Sequence, residues 1–442
     1  MELHDYQKRA VEWMKNHECG YIAVDMGLGK TRCMLELISK LRAPALVVAP
    51  LRVALHTWPA EIKKWTPELS YRVLHGPDKA LRLNVASTDV FIINYDGLKW
   101  LATQRKEVLQ GRVLILDEAT AIKSHKSQRT KILALMRPLF SRCYCLSATP
   151  SPNGIQDLWS QYRVLDLGER LGKRWGEFFF RYFNQDKFYR IYPKDPCVVD
   201  VILSKVADCT FRLDSNDYLQ LPDFVYNDIE LELPRSLRAK YKDFENDFML
   251  ELDNTTVTAM SAATLSMKLR QFIQGCLYTY DLTGKCTGYE KVHSLKLDAL
   301  ETIMEQLEGQ PNLVAINFKF ELEEIEKRFK GKYKALVGGI PAKESVKIID
   351  QWNKGELPML VVHPAAVSHG INLQAGGHHI TWQSLTWNYE HYTQLNGRLR
   401  RQGQMHPVVL TRLLLGDTID SKIAKALATK GANQESVLKA LK

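Results

Sequence analysis

The stretch from Val24 to Thr31, VDMGLGKT, constrains the fold more than any other part of the chain. It follows an apolar run that can form a buried strand, and apolar residues then recur at helical spacing from Cys33 to Leu41. Gly27 and Gly29 let the backbone wrap closely, so that its amides can point at phosphate oxygens. A strand, a glycine-rich turn and a helix in this order predict a phosphate-binding loop.

The residue types in this loop suggest a role for each position. Lys30 is expected to reach the β- and γ-phosphates of a nucleotide, and Thr31 to hold Mg²⁺. The N-terminus of the following helix adds a partial positive charge. One position departs from the motif, because Val24 stands where its first glycine is usual. The other predicted nucleotide-binding residues of the loop are Met26, Gly27, Leu28 and Gly29.

Gln7 lies on a predicted helix shortly before the loop. A glutamine amide donates and accepts hydrogen bonds, so it can pair with both the donor and the acceptor edge of adenine. A surface glutamine without a ligand is the alternative, and the nearby loop favours the adenine contact.

Composition bounds the class of protein. The 442 residues carry a formal net charge of +10, and 45% are hydrophobic, which is ordinary for a globular protein. The basic balance favours a polyanionic partner, with a merely soluble basic protein as the alternative. The eight cysteines form no CxxC pair, which favours buried thiols in a reducing compartment. We find no signal peptide or membrane-spanning run, so we expect a cytoplasmic protein without a membrane partner.

Continuous apolar runs that end in polar residues indicate a parallel sheet buried on both faces. The run at residues 113–116 leads directly into Asp117 and Glu118. Two adjacent carboxylates at the end of a strand can serve a metal ion and an attacking water, with Asp117 on Mg²⁺ and Glu118 as general base. A solvated turn is the alternative. Similar runs at residues 45–49, 89–94 and 144–146 predict further strands, the last one leading into Ser147 and Thr149.

The middle of the chain, residues 153–300, is rich in aromatic and basic residues and contains helical stretches such as 237–252 and 267–273. A helical insertion with an aromatic core is favoured, and a nucleic-acid surface is the alternative. The carboxyl third returns to alternating strands and helices, which predicts a second α/β lobe. The strands are expected at residues 313–316, 335–337, 359–362, 379–382 and 408–414, with a short polar helix from Lys430.

The second lobe contains no glycine-rich loop, but it contains Arg398 and Arg401. These residues are three apart, so on a helix they would project from one face. Planar guanidinium groups suit the charge that develops on a transferred phosphoryl group. A solvated basic face is the alternative.

The order of these motifs resembles the Swi/Snf family of DNA-dependent ATPases within helicase superfamily two. The resemblance runs nearly end to end, and the GLGKT form, the IK after the acidic motif and the RQGQ ending are its more specific parts. It rests on LHDYQ, DMGLGKT, VVAPLRVALHTW, INYDGL, DEATAIKS, LSATPSPN, FRLDSNDYLQLPDF, NFKFELEEIE, HGINLQAGG and QLNGRLRRQGQ.

The resemblance implies an α/β fold with two RecA-like parallel-sheet lobes and helical insertions between them. It implies ATP and Mg²⁺ as cofactors, Arg398 and Arg401 as arginine fingers, and a contact of Gln394 with the γ-phosphate. The family usually has Ser-Thr-Arg where this chain has His363, Pro364 and Ala365, so DNA contacts of that segment are not carried over. The other implied residues are Gly370 and Asn372 at the nucleotide, and Arg52, Asn94, Tyr95, Ser147 and Thr149 at the nucleic acid.

The sequence therefore predicts an ATP-driven motor that moves along nucleic acid, most readily double-stranded DNA, and acts as a monomer. Residues 1–222 are expected to form the first lobe and residues 223–442 the second. The compact chain resembles bacterial or bacteriophage members of the family, and its protein partners are unknown. The alternatives are a strand-separating DNA or RNA helicase and a non-catalytic DNA-binding assembly factor.

Overall fold

The structure is a computed structural model, and it describes residues 2–85, 87–186, 191–253, 259–367 and 371–440. The chain divides into two units, Met1–Gln220 with Lys430–Lys442, and Leu221–Thr429. Each unit is built around one parallel sheet. No helix in the described ranges has the length and apolar character needed to cross a membrane.

The first unit contains nine strands, counted over its described residues, seven of which form the parallel sheet. The remaining two pair as an antiparallel hairpin. The strands are β1 (Cys19–Val24), β2 (Ala45–Ala49), β3 (Tyr71–Val73), β4 (Val90–Asn94), β5 (Val113–Asp117), β6 (Arg142–Leu146), β7 (Phe183–Gln185), β8 (Ile191–Pro193) and β9 (Thr210–Leu213).

Helices cover both faces of this sheet, which explains why β2 and β5 are buried along their whole length. They are α1 (Asp5–Asn16), α2 (Lys30–Leu41), α3 (Trp58–Trp65), α4 (Lys79–Leu83), α5 (Leu98–Leu101), α6 (Gln128–Met136), α7 (Asp157–Leu165), α8 (Trp175–Tyr182), α9 (Val198–Val206) and α10 (Ser215–Tyr218). Single 3₁₀ or π-helical turns occur at Val53–Thr57, Tyr95–Gly97, Lys106–Val108, Ala119–Ile122, Arg137–Leu139 and Ala207–Cys209.

The strand order in the first sheet is β3-β4-β2-β5-β6-β1-β9. All neighbouring strands run parallel, so their carboxyl ends meet at one edge. The register aligns Asp117 with Leu146, and Ala49 with Asn94. Loops that follow β4, β2, β5, β6 and β1 therefore emerge side by side, which is where α/β sheets bind ligands.

The second unit has a six-stranded parallel sheet in the order β10-β17-β16-β13-β15-β14 and a separate hairpin, β11–β12. The strands are β10 (Phe224–Leu231), β11 (Cys276–Tyr280), β12 (Cys286–Lys291), β13 (Asn312–Ala315), β14 (Lys334–Leu336), β15 (Met359–Val362), β16 (His379–Trp382) and β17 (Val408–Leu415). The helices are α11 (Arg235–Asp253), α12 (Ala259–Ile273), α13 (Leu295–Gln306), α14 (Lys319–Phe329), α15 (Ala342–Asn353), α16 (Pro364–Val367), α17 (Tyr389–Asn396) and α18 (Ile419–Ala440).

The two parallel sheets confirm the predicted α/β class, and every strand expected from an apolar run is present within a residue or two. One helix differs from expectation. The segment from Lys430 is not a separate short helix but the second half of α18, which starts at Ile419. Leu427 is buried in the core of the second unit and Val437 in the core of the first, so each half of the helix is anchored by its own apolar contact.

The aromatic residues of the middle region pack on one another. The Trp159 and Trp175 rings meet edge to face with centroids 5.5 Å apart, and Phe178 lies 5.8 Å from Trp175. Phe178 is buried in the core of the first unit. These contacts support the predicted aromatic core of an insertion. The basic and aromatic run from Lys187 to Arg190 lies outside the described residues.

Candidate functional site

The predicted phosphate loop has the expected strand, turn and helix around it. It leaves β1 at Val24 and enters α2 at Lys30. Gly27 and Gly29 have φ angles of 88° and 79°, in the left-handed region that favours glycine. The Lys30 ammonium donates hydrogen bonds to the carbonyl oxygens of Val24 at 2.7 Å and Asp25 at 3.3 Å. The loop thus curls around a lysine at the N-terminus of a twelve-residue helix.

Gln7 packs directly against this loop. Its side-chain Nε2 donates to the Leu28 carbonyl at 3.2 Å, and its Oε1 accepts from the His4 backbone at 3.1 Å. A Cβ atom at Gly29 would lie only 2.4 Å from Gln7 Nε2. The φ angle at position 29 favours glycine, and a side chain there would also displace the amide of Gln7. The Leu28 side chain is buried, so this residue presents only its backbone to a ligand of the loop.

A buried arginine holds the start of the loop. Arg212 Nη1 donates to Asp25 Oδ1 at 2.7 Å and to the Ala23 carbonyl at 2.9 Å. Asp25 Oδ2 accepts from the backbone and hydroxyl of Ser215. These contacts join the loop to β9, the edge strand directly beside β1, and to the residues that follow it. Sequence reasoning did not single out Arg212, because 187 residues separate it from Asp25.

The acidic pair lies at the carboxyl end of β5. Asp117 is 7% exposed, and its Oδ2 accepts a hydrogen bond from Trp58 Nε1 at 2.9 Å. Its Oδ1 accepts from the Glu118 backbone at 3.1 Å. Glu118 has φ 52°, an uncommon value for a residue other than glycine. A strained residue next to a fixed carboxylate is typical of functional sites.

Tyr95 also contacts the acidic pair of Asp117 and Glu118. Its hydroxyl donates to the Asp117 carbonyl at 2.9 Å, and its ring is only 4% exposed. Burial raises the pKa of Tyr95 well above its usual value. The nucleic-acid contact expected of Tyr95 stays a prediction, and the hydroxyl of this residue lies on the backbone of the acidic pair. Asn94, which ends β4, and Arg52, which follows β2, are half-buried at the same sheet edge.

Ser147 and Thr149 form a tight turn after β6. The Thr149 backbone donates to Ser147 Oγ at 3.1 Å, and both side chains are buried. The Ser147 backbone reaches the Ile22 carbonyl of β1 at 3.3 Å. In the sheet, β6 lies between β5, with its acidic pair, and β1, with its phosphate loop. The turn therefore lies next to both the acidic pair and the phosphate loop.

The second unit brings its two predicted arginines together, but not on a helix. The helix α17 ends at Asn396, and Arg398 and Arg401 lie in the turns that follow. The expectation of a shared helical face is therefore wrong, because Gly397 is a poor helix former and the Arg398 backbone bonds the residue three positions back. The buried Gln394 is on α17 itself.

Both guanidinium groups nevertheless meet at one point. Arg398 and Arg401 each donate from Nη1 to the Ile371 carbonyl, at 3.1 and 3.2 Å. Arg401 also donates to Asn372 Oδ1 at 2.5 Å. Burial lowers the pKa of the Arg401 guanidinium from its ordinary value. Gly370, the other residue expected here, lies outside the described residues.

Two family models match the sequence. The model described as SNF2-related domain matches residues 6–276, and the model described as helicase conserved C-terminal domain matches residues 295–403. The SNF2-related match alone covers more than half of the chain.

Curated relatives agree with these matches. Protein p41 of Acyrthosiphon pisum secondary endosymbiont phage 1 is 32% identical, over 99% of this chain and 98% of its own length. A Mycoplasma pneumoniae protein named an uncharacterized ATP-dependent helicase is 25% identical over 99% of this chain. The chain spans only 42% of that bacterial protein.

A solved structure also aligns with the chain, the SWI2/SNF2 ATPase core of Sulfolobus solfataricus in complex with dsDNA. It is 23% identical to this chain, the alignment covers 99% of this chain and 93% of the solved chain, and the TM-score is 0.47. The family matches and the phage relative decide the assignment. The chain belongs to the SNF2-related family of ATP-dependent, helicase-like enzymes.

Proposed function

We propose that this chain hydrolyses ATP in order to move along double-stranded DNA, and that it does so as a monomer. One observation carries the proposal: the phosphate loop after β1 and the acidic pair after β5 emerge at the same edge of one sheet, with only β6 between them. The net charge of +10 supports binding to a polyanion such as DNA.

The residues at the phosphate loop fit a nucleotide. The Lys30 ammonium bonds the carbonyl oxygens of Val24 and Asp25 at the start of the loop, and Lys30 is the first residue of α2, whose N-terminus favours an anion. We assign Lys30 and the backbone of Gly27–Gly29 to the phosphates. Gln7 is assigned to adenine, because its amide already lies on the loop and would need only to exchange its backbone partners for the edge of a base.

A threonine hydroxyl and an aspartate carboxylate fit Mg²⁺ by their chemistry. Magnesium prefers hard oxygen ligands and keeps several waters, so one carboxylate and one hydroxyl are a suitable protein contribution. We assign Thr31, in the first turn of α2, and Asp117 to this role. Mg²⁺, when bound, neutralises charge on the β- and γ-phosphates. Trp58 keeps the Asp117 carboxylate in place, since its N–H bonds one carboxylate oxygen.

Glu118 is assigned as the general base that orients and deprotonates the attacking water. Its neighbour Asp117 accepts hydrogen bonds from Trp58 and from the Glu118 backbone, and Glu118 itself has a left-handed φ of 52°. A carboxylate placed in this way can accept a proton at each turnover.

Arg398 and Arg401 are assigned to the charge that develops on the transferred phosphoryl group, with Gln394 as a further γ-phosphate contact. The structure supports a shared role, because both guanidinium groups bond the same carbonyl of Ile371. An arginine finger raises the rate of turnover by a factor on the order of 10³ or more. Asn372 holds Arg401 in place through its side-chain oxygen.

We assign Arg52 and Asn94 to the nucleic acid, and Ser147 and Thr149 to communication between the nucleotide and the track. The turn at Ser147 supports this role, because it lies beside both β1 and β5. Contacts to a phosphate backbone carry little base information. We therefore expect weak sequence preference and strong salt dependence of binding.

The experiment is ATPase turnover measured with double-stranded DNA, single-stranded DNA and RNA side by side. Stimulation by double-stranded DNA above the other two supports the proposal. Turnover without any stimulation by nucleic acid contradicts it. Displacement of a triplex strand without unwinding of a forked duplex then separates a translocase from a strand-separating helicase.

A further inference from the structure

The last turns of α18 pack onto the first unit. Val437 is 4% exposed and belongs to the same core as β5 and β6, and Leu438 packs against that core. The segment from Lys430 is accordingly part of the first unit, whereas the start of α18 is part of the second. This late segment lies beside the loop that follows β6.

One residue of the segment holds that loop directly. Gln434 is 3% exposed, and its Oε1 accepts hydrogen bonds from both the backbone and the hydroxyl of Ser151, each at 3.2 Å. Because a backbone N–H can only donate, the amide must turn its oxygen towards Ser151. The orientation of the Gln434 side chain is therefore fixed.

This orientation has a cost. Gln434 Nε2 is buried and has no hydrogen-bond partner among the described residues. An unpaired buried donor is usually avoided and calls for an explanation. An apolar side chain could fill the same place without that cost, so the contact with Ser151 is the feature that only a polar acceptor provides.

Besides the backbone bond from Ser147 to the Ile22 carbonyl, three side chains hold the loop from Ser147 to Ser151. Its own turn bonds Thr149 to Ser147, the Pro150 carbonyl accepts from Gln161 Nε2 at 2.8 Å, and Ser151 bonds Gln434. The first two contacts come from residues close in sequence. The third comes from 283 positions further along the chain.

We propose that Gln434 is a positioning residue for the Ser147–Ser151 loop, and that this contact keeps the loop in the arrangement that lets DNA stimulate turnover. The inference rests on the proposed function, in which Ser147 and Thr149 couple the state of the bound nucleotide to the contact with DNA. Gln434 acts only through the loop.

The test compares Gln434→Met with Gln434→Glu. Methionine has a similar volume but accepts only weakly, whereas glutamate keeps the acceptor oxygens and removes the unpaired donor. We expect Gln434→Met to lower DNA-stimulated kcat by about 5-fold, the equivalent of one hydrogen bond. Its KM for ATP and its kcat without DNA should stay at wild-type values. Gln434→Glu should restore stimulation.

Hydrogen exchange provides a second readout that is independent of turnover. The Ser151 amide donates to Gln434, so a peptide covering residues 147–154 should exchange faster in Gln434→Met and at the wild-type rate in Gln434→Glu. The matched control is Asn433→Met, an exposed amide on the adjacent position of α18, which should change neither readout.

Full stimulation by DNA in Gln434→Met would overturn the inference and leave the proposed function intact. An equal loss of stimulation in Asn433→Met would also overturn it, because it would trace the effect to the helix as a whole. A wild-type protein that DNA does not stimulate would instead overturn the proposed function, and the coupling role of Gln434 with it.

Discussion

Trp58 Nε1 donates a hydrogen bond to Asp117 Oδ2 at 2.9 Å, across 59 positions of sequence. The indole is fully buried, and the carboxylate lies at the end of β5. A buried carboxylate loses hydration, so a fixed donor both stabilises its charge and sets its direction. The contact makes Trp58 a positioning residue for the carboxylate that we assign to Mg²⁺.

Replacement of Trp58 by phenylalanine keeps an aromatic ring in the core and removes the N–H. We expect ATP turnover to fall about 10-fold and the Mg²⁺ concentration for half-maximal turnover to rise, because a hydrogen bond to a charged group is worth about 1.5–3 kcal/mol. The measurement is turnover as a function of Mg²⁺ concentration.

Trp65→Phe is the matched control for this change. The Trp65 indole also bonds a carboxylate, that of Glu61, at 2.7 Å, but on the surface of α3. Its loss should leave the Mg²⁺ dependence unchanged. A Trp58→Phe variant with the wild-type Mg²⁺ dependence would remove Trp58 from the site.

Lys30→Ala is expected to abolish ATP turnover while nucleic-acid binding stays near the wild-type level, and Glu118→Gln should do the same. The reason is that Lys30 lies inside the phosphate loop and Glu118 follows the fixed aspartate. Turnover and filter binding of duplex DNA measure the two effects separately. Lys40→Ala, at the other end of α2, removes the same charge and should change neither. Equal loss of binding and turnover would point to misfolding.

Arg401→Ala is expected to lower turnover by about 10³-fold and to leave ATP binding within a few-fold of wild type. Binding of a fluorescent nucleotide and single-turnover hydrolysis measure these quantities. Arg401→Lys should recover little, because an ammonium lacks the planar fork of the guanidinium. Arg400→Ala is the control, since its Nε bonds the Pro222 carbonyl and not Ile371. Unchanged turnover in Arg401→Ala would exclude this residue from hydrolysis.

His293 predicts a pH dependence of stability. Burial lowers the pKa of its imidazole to about 4, against 6.5 for the free side chain. The unfolded chain therefore binds more protons between these values, and the free energy of unfolding should fall as pH drops from 6.5 to 4. The full difference is about 3 kcal/mol.

Urea unfolding at several pH values checks this expectation. His293→Gln removes this titration, so its stability should vary less over the same range than that of the wild type. Identical pH profiles for wild type and His293→Gln would show that another group carries the acid sensitivity.

Much of the fold can be predicted from the sequence, because a parallel sheet covered on both faces requires continuous apolar runs. The strands at residues 45–49 and 359–362 are short and wholly apolar, and both are present as expected. The phosphate loop is predictable for a different reason, because its glycines adopt the positive φ angles that the local backbone needs. The assigned roles of Lys30 and Glu118 stay predictions.

The supporting contacts could not be predicted, because they depend on how distant segments pack. Trp58 reads as a core tryptophan, and nothing near it in sequence indicates Asp117. The same is true of Arg212 at Asp25 and of Gln434 at Ser151. The prediction that Arg398 and Arg401 share a helical face was wrong for a local reason. A spacing of three fits a helix, but Gly397 ends that helix one residue before Arg398.

The place of Val437 has a consequence for biosynthesis. This residue closes a core whose other members are almost all translated before the second unit begins. At 5–20 residues per second, the roughly 200 residues in between take about 10–40 s to emerge from a ribosome. During that interval the apolar surface that Val437 later covers stays exposed on the nascent first unit, so we expect a chaperone to bind it.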